Sequence, residues 1–216
     1  MTSASVTNSE QSGRVKRIFK VWSQFYDNPV AQNLFYRRVH ARLLKRVGAI
    51  SPETILDVGC GTGELFDKTS KRWPNADYVG LDLSAEMLAV GEEKYRGNAR
   101  VSFLEGSAED IELADNSIGL LTNTISSHFY PDLDVVLGEF SRVLKPGGTL
   151  AMACLNNGLL GWLPGPYQKQ FSASDINLRS DQLHKQMLVR NGFVDVHRYR
   201  LPANVSLFVA ANAARQ

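Results

Sequence analysis

Only two cysteines occur in 216 residues, Cys60 and Cys154, too few for a disulfide framework and at no metal-ligand spacing. There is no run of about 18 apolar residues, so no helix is expected to span a membrane. The opening MTSASVTNSEQS has no apolar centre of the signal-peptide kind, and residues 1–13 read as a disordered tail. Internal repeats and low-complexity linkers are also missing. What remains is ordinary globular composition, 44% hydrophobic and 21% charged. That suits a single α/β domain long enough to bury a real core, reduced and cytoplasmic by expectation.

A strong overall charge is absent too, at +2, but its distribution is uneven. Residues 1–50 carry +7, residues 51–150 carry −9 and residues 151–216 carry +4. An acidic centre therefore follows a basic N-terminal arm that holds Lys16, Arg17, Lys20, Arg37, Arg38 and Arg42. A solvated helix face explains such a run, and so does an anionic partner.

The apolar pattern predicts helical segments between 14 and 47, broken at Asn28-Pro29 and stopped by Gly48. They form an N-terminal cap, 14–50, ahead of a main domain at 51–216. Strands are expected at 54–58, 76–83, 99–106, 117–123 and 149–154. Helices are expected at 64–72, from Ser84 to about 94, and at 133–144, the last closed by Pro146-Gly147-Gly148. Strands alternating with helices imply right-handed crossovers and a doubly wound, mainly parallel sheet. A helix at 180–190 and strands at 193–200 and 205–210 complete the chain.

The first strand runs into ILDVGCGTGELF, where Gly59, Gly61 and Gly63 alternate before a helix begins. Such a loop places bare backbone at the carboxyl edge of the sheet, where open α/β folds bind ligands. The dinucleotide fingerprint G-x-G-x-x-G would need glycine at position 64, which is Glu64. The G-x-x-x-x-G-K-[ST] phosphate loop is absent as well, so the loop fits a ligand without phosphates.

LDVGCGTG resembles the first motif of the class I S-adenosylmethionine (SAM) dependent methyltransferases. GLDLSAEML, with Asp82 lying 21 residues after Gly61, EGSAED at 105–110 and LKPGG at 144–148 follow in family order. Within that family the chain most resembles the type 11 and ubiquinone/menaquinone-pathway group. The resemblance implies a Rossmann-like seven-stranded sheet with an antiparallel last strand, SAM as cofactor and S-adenosylhomocysteine (SAH) as product. It also implies site residues. Gly59, Gly61 and Gly63 would admit methionine and ribose, and Asp57 would orient the loop and the ligand's amino group. Asp82 would take the ribose hydroxyls, while Leu83 and Met87 pack on adenine. Ala108 would donate its N–H to the ring, Ser107 or Glu109 would meet the exocyclic amine, and Asn123 would lie near the methionine end. Plain core roles for Leu83 and Met87, and a capping role for Asp57, stay open.

Displacement at a sulfonium depends mainly on positioning and desolvation of the acceptor, and a base is needed only if the acceptor must lose a proton. His128, in TISSHFY, is the first catalytic candidate and Tyr26, in FYDNP, the second. No Asn-Pro-Pro-Tyr follows strand four, no cysteine follows a proline, and no metal triad is evident, so a small-molecule acceptor is favoured and neither nucleic acid nor metal is expected. Trp22, Phe25, Leu159, Leu160, Trp162 and Tyr167 beside the basic arm suit a partly apolar acceptor such as a quinone precursor or lipid, with peripheral contact to an anionic membrane surface. The rival readings are a SAM- or SAH-binding module without turnover and an NAD(P)-dependent oxidoreductase.

Overall fold

The structure, a computed structural model, describes residues 35–156, 177–201 and 204–213. Helix α1 (Arg37–Arg46) precedes the alternating units β1 (Thr54–Val58), α2 (Phe66–Arg72), β2 (Asp77–Asp82), α3 (Ala85–Lys94) and β3 (Val101–Glu105). Strand β4 (Ile118–Thr124), a 3-10 turn at Ser127–Phe129, α4 (Leu133–Val143), β5 (Leu144–Leu155), α5 (Asp181–Arg190), β6 (Phe193–Leu201) and β7 (Val205–Asn212) follow.

The seven strands order as β3-β2-β1-β4-β5-β7-β6. Strands β1 to β5 pair in parallel, and β7 runs antiparallel between β5 and β6. This is the doubly wound, mostly parallel sheet that the alternation predicts. The chain moves outward from β1 to β3, then returns on the other side of β1 as β4. That reversal opens a crevice at the carboxyl ends of β1 and β4, where open sheets take their ligands.

Both sheet faces are covered, so central strands are buried on both sides. On one face Leu56, Leu121, Met152 and Phe208 pack with Leu133, Leu137 and Phe140 of α4 and Leu188 of α5. On the other, Ile55, Leu120, Ala151 and Leu207 meet Val39 and Leu43 of α1 and Phe66 of α2. The apolar stripe of α1 therefore docks on the sheet, leaving Arg37, Arg38 and Arg42 outward. The remainder of the expected cap, residues 14–34, lies outside the described residues, as does the aromatic loop around 158–168.

Capping fixes where the helices begin. Ser84 accepts from the Met87 N–H at the start of α3, Asp132 from Asp134 and Val135 N–H groups before α4, and Ser180 from Leu183 N–H before α5. One boundary differs from the sequence expectation. The Pro146-Gly147-Gly148 segment does not stand outside the sheet: β5 already pairs at Leu144 with Ile118, bulges, and resumes at Thr149 opposite Leu120. The bulge absorbs residues between two paired stretches, which the helix-stop reading of proline and glycine does not foresee.

Candidate functional site

Gly59, Gly61 and Gly63 all adopt positive φ, at +70°, +56° and +76°. Gly59 has a second reason to be glycine. A Cβ there would stand 2.6 Å from Ser126 Oγ and 2.8 Å from Ser126 Cβ, so the loop after β1 lies directly against the segment after β4.

Four of the loop's N–H groups are already bonded, contrary to the sequence expectation of unhindered backbone. Gly59 N and Cys60 N both donate to the Leu81 carbonyl, at 2.8 and 3.1 Å, and Gly63 N donates to the Cys60 carbonyl at 3.0 Å. Gly61 N donates to Asp82 Oδ2 at 2.8 Å. An anion cradle needs such groups pointing at the ligand. Here they are spent on holding the loop to the end of β2. The glycines admit close approach rather than gripping a phosphate.

Asp82 is the centre of that hold. Its other oxygen accepts from Ser84 N at 3.0 Å, so one carboxylate ties the glycine loop to the cap of α3. Burial raises its pKa, while the N–H groups of Gly61, Ser84 and Leu83 pull it back. Each oxygen keeps a further lone pair for a ligand hydroxyl.

Asp57 is buried at the end of β1 and accepts from Thr122 Oγ1 at 2.7 Å. Burial pushes its pKa up to about 7; the Thr122 hydroxyl opposes the shift and Asp82 adds to it. The same two carboxylates push the Cys60 thiol and the Tyr130 phenol upward, after burial itself. No cation contributes to any of these four shifts. Among the described residues no cation offsets these carboxylates, so the crevice favours a ligand that carries positive charge.

Asn123 lies within β4 rather than past its end, and is fully buried. Its Nδ2 reaches the Val58 carbonyl at 2.9 Å, Ser126 Oγ at 2.7 Å and the Tyr130 hydroxyl at 2.7 Å. Two N–H groups serve at most two of these at once, and the two hydroxyls, 3.1 Å apart, bond each other. Asn123 Oδ1 is buried without a partner. Ser126 and Tyr130 roof Gly59, yet neither is foreseen from sequence. The only signal is the glycine's need for a close neighbour, and that neighbour lies 67 residues away.

On the β2–β3 side, Leu83 is half-buried, while Met87 and Ala108 are buried. Ser107 Oγ accepts from Glu109 N at 3.1 Å, which commits the serine to the turn. Glu109 Oε1 is buried and unpartnered. Arg142 of α4 braces this turn by donating to the Ile111 and Leu113 carbonyls and to Glu139, which itself accepts from Ile111 N.

His128 falls in the 3-10 turn after β4, 6% exposed, its ring centroid 4.1 Å from that of Phe129. Burial, and then Arg179, lower its pKa to about 3. The ring is neutral at physiological pH, and so weak a base gains little from proton transfer. Its Nδ1 has no partner. Tyr26 lies outside the described residues. Among the described residues, no cluster of three or more His, Cys, Asp or Glu could hold a metal ion, and no helix is long and apolar enough to cross a membrane.

Residues 56–152, from β1 into β5, match a family described as a methyltransferase domain. This segment is similar to that methyltransferase family. The domain is 36% identical over 130 residues to a malonyl-[acyl-carrier protein] O-methyltransferase of Pectobacterium atrosepticum, covering 59% of this chain and 49% of that protein. It is 32% identical over 144 residues to a demethylmenaquinone methyltransferase of Staphylococcus carnosus, covering 65% of this chain and 60% of that one. The chain thus spans half to three-fifths of these relatives' lengths. In fold it is similar to a SAM-dependent methyltransferase from Aquifex aeolicus, with TM-score 0.71 and 23% identity over 88% of this chain and 96% of that one.

Proposed function

We propose that the chain is a SAM-dependent methyltransferase acting on a small, partly apolar acceptor. The observation that carries this is the pair of buried carboxylates, Asp57 and Asp82, beside a loop in which the N–H groups of Gly59, Cys60, Gly61 and Gly63 are already bonded. A sulfonium and an ammonium complement that negative, close-approach crevice. A pyrophosphate does not, which argues against NAD(P). Asp82 takes the ribose hydroxyls with its remaining lone pairs, and Asn123 Oδ1 accepts from the ligand's ammonium group. Leu83, Met87 and Ala108 flank adenine. Glu109, with its orphaned oxygen, takes the exocyclic amine that Ser107, already bonded within the turn, is less free to take. Calorimetry with SAM, SAH and NAD tests this. Micromolar binding of SAM and SAH without NAD is the expected result, and binding of NAD alone overturns it.

The pH dependence follows from Asp57. Its folded-state pKa is raised from 3.8 to about 7, so the empty folded protein holds a proton that the unfolded chain has already released. This group's contribution to stability is therefore greatest in acid and declines as pH rises from 3.8 to about 7. A bound cation reverses the preference by favouring the carboxylate. SAM affinity should rise as pH climbs through about 7 and level off above it. SAH, which lacks the sulfonium charge, should respond less. Calorimetry at pH 6 and pH 8 checks this: an equal change for both ligands would remove the sulfonium from the account.

Because the imidazole of His128 is neutral, we assign it a hydrogen-bonding rather than a proton-accepting part. His128→Ala should lower turnover with SAM affinity intact, and the wild-type rate profile should show no histidine limb between about pH 5 and 8. A limb near 6.5 that disappears in the variant would restore the base role. A second reading, a SAM-binding module without turnover, draws on the same weak basicity. Methyl transfer from labelled SAM to extracted small molecules decides between the two. A quinone precursor is one candidate acceptor, by analogy with the relative named for demethylmenaquinone. An anionic lipid surface against the outward bases of α1 is a candidate contact.

A further inference from the structure

Among the described residues, the half-buried guanidinium of Arg179 has no acid paired with it. Arg179 precedes α5 and is half-buried across from the turn after β4. Its described bonds all go to main-chain carbonyls: Nη1 donates to Ser127 at 3.4 Å and Asn177 at 3.0 Å, and Nη2 donates to Tyr130 at 3.3 Å. A guanidinium has five N–H groups, so two stay unspent. The nearby acids are all engaged elsewhere. Asp132 caps α4, Asp134 pairs with Arg190, and Asp181 pairs with Arg198 at 2.7 Å. Burying a cation beside carbonyls alone costs desolvation that a counter-anion would offset.

The surroundings add two donors: Thr124 Oγ1 and His128 Nδ1 are buried without a partner, whereas Asn123, Asn156 and Asp181 leave only acceptor oxygens unpartnered among the described residues. These residues sit at the carboxyl ends of β4 and β5 and on the segment that faces them; Asn156 forms a bridge with Arg179 itself. Native interiors leave few such atoms, and a missing ligand is one of the standard reasons. Thr124 Oγ1 and, in one tautomer, His128 Nδ1 can donate a hydrogen bond.

We propose that Arg179 is the anion-binding residue of the acceptor subsite, and that the methyl acceptor carries an oxyanionic group, carboxylate or phosphate. A planar fork of N–H groups suits either, with the Thr124 hydroxyl as an added donor. The word acceptor rests on the methyltransferase reading; the anion site itself does not. It narrows the substrate from any partly apolar molecule to an acid-bearing one. Arg179 serves binding and placement, leaving the methyl transfer to geometry.

The test titrates the full chain with hexanoate, hexyl phosphate and neutral hexanamide, with and without SAH, by calorimetry. At least one of the anions should bind roughly tenfold tighter than hexanamide, the better one naming the group. Arg179→Gln should abolish that difference while SAH affinity holds. Arg179→Lys, which keeps the charge and is the safer variant for folding, should preserve part of it. Equal affinity for all three probes on the wild-type protein overturns the proposal without any variant, as does discrimination retained in Arg179→Gln. Failure of SAH to bind while anions still bind through Arg179 counts against the methyltransferase reading alone.

Discussion

Asp82→Ala is expected to weaken SAM binding about a hundredfold, close to 3 kcal/mol. The size follows from two jobs lost at once. The carboxylate accepts from Gly61 N at 2.8 Å and from Ser84 N at 3.0 Å, so its removal frees the glycine loop from the end of β2 and orphans two buried donors. On the proposed reading it also removes the charge that takes the ribose hydroxyls. Asp82→Asn separates the two. The amide keeps the volume and one acceptor, but its NH2 must face either the Gly61 or the Ser84 N–H, donor against donor. The asparagine variant should therefore fall nearly as far as alanine. Calorimetry with SAH reads both. Affinity held within about threefold in the alanine variant would mean that the loop stays in place without its clamp.

Much of this arrangement was legible because local chemistry and tertiary demand agree. The β1 strand, 54–58, falls on its expected residues, since a short apolar run ending in Asp57-Val58-Gly59 has no helical alternative. Ser84 caps α3 as its position before an apolar-periodic run requires. Asp82 could be placed near the glycine loop because the separation of 21 residues is one crossover unit. What was not legible depends on pairs far apart in the chain. Ser126 meets Gly59, Arg179 meets the Ser127 and Tyr130 carbonyls, and neither pair leaves a periodic trace. The burial of His128 leaves no periodic trace either, because a turn and the Arg179 segment supply it. The loop N–H groups were expected to face a ligand because glycines suggest accessible backbone. Their partners, Leu81 and Asp82, are supplied by the neighbouring strand β2.

Gly59→Ala should be the most damaging one-carbon change in the domain, and it can be resolved into two parts. At φ +70° a non-glycine residue costs about 1–2 kcal/mol. The added carbon would also stand 2.6 Å from Ser126 Oγ and 2.8 Å from Ser126 Cβ, while the Tyr130 hydroxyl at 3.5 Å is an ordinary contact. Ser126 cannot simply turn away, because its hydroxyl bonds Asn123 and Tyr130. Together these predict a melting temperature lower by roughly 5–15 °C and SAM affinity down by at least about tenfold. Ser126→Gly deletes both clashing atoms, so the double variant should keep the strain of the positive φ and the lost hydroxyl bonds but not the clash. Ser126→Gly alone loses the hydroxyl's bonds, worth about 1 kcal/mol. The double variant should then be more stable than the two single losses added together, a coupling of about 1–2 kcal/mol. Additive losses would show that the loops after β1 and β4 do not touch, and the crevice between them would have to be redrawn.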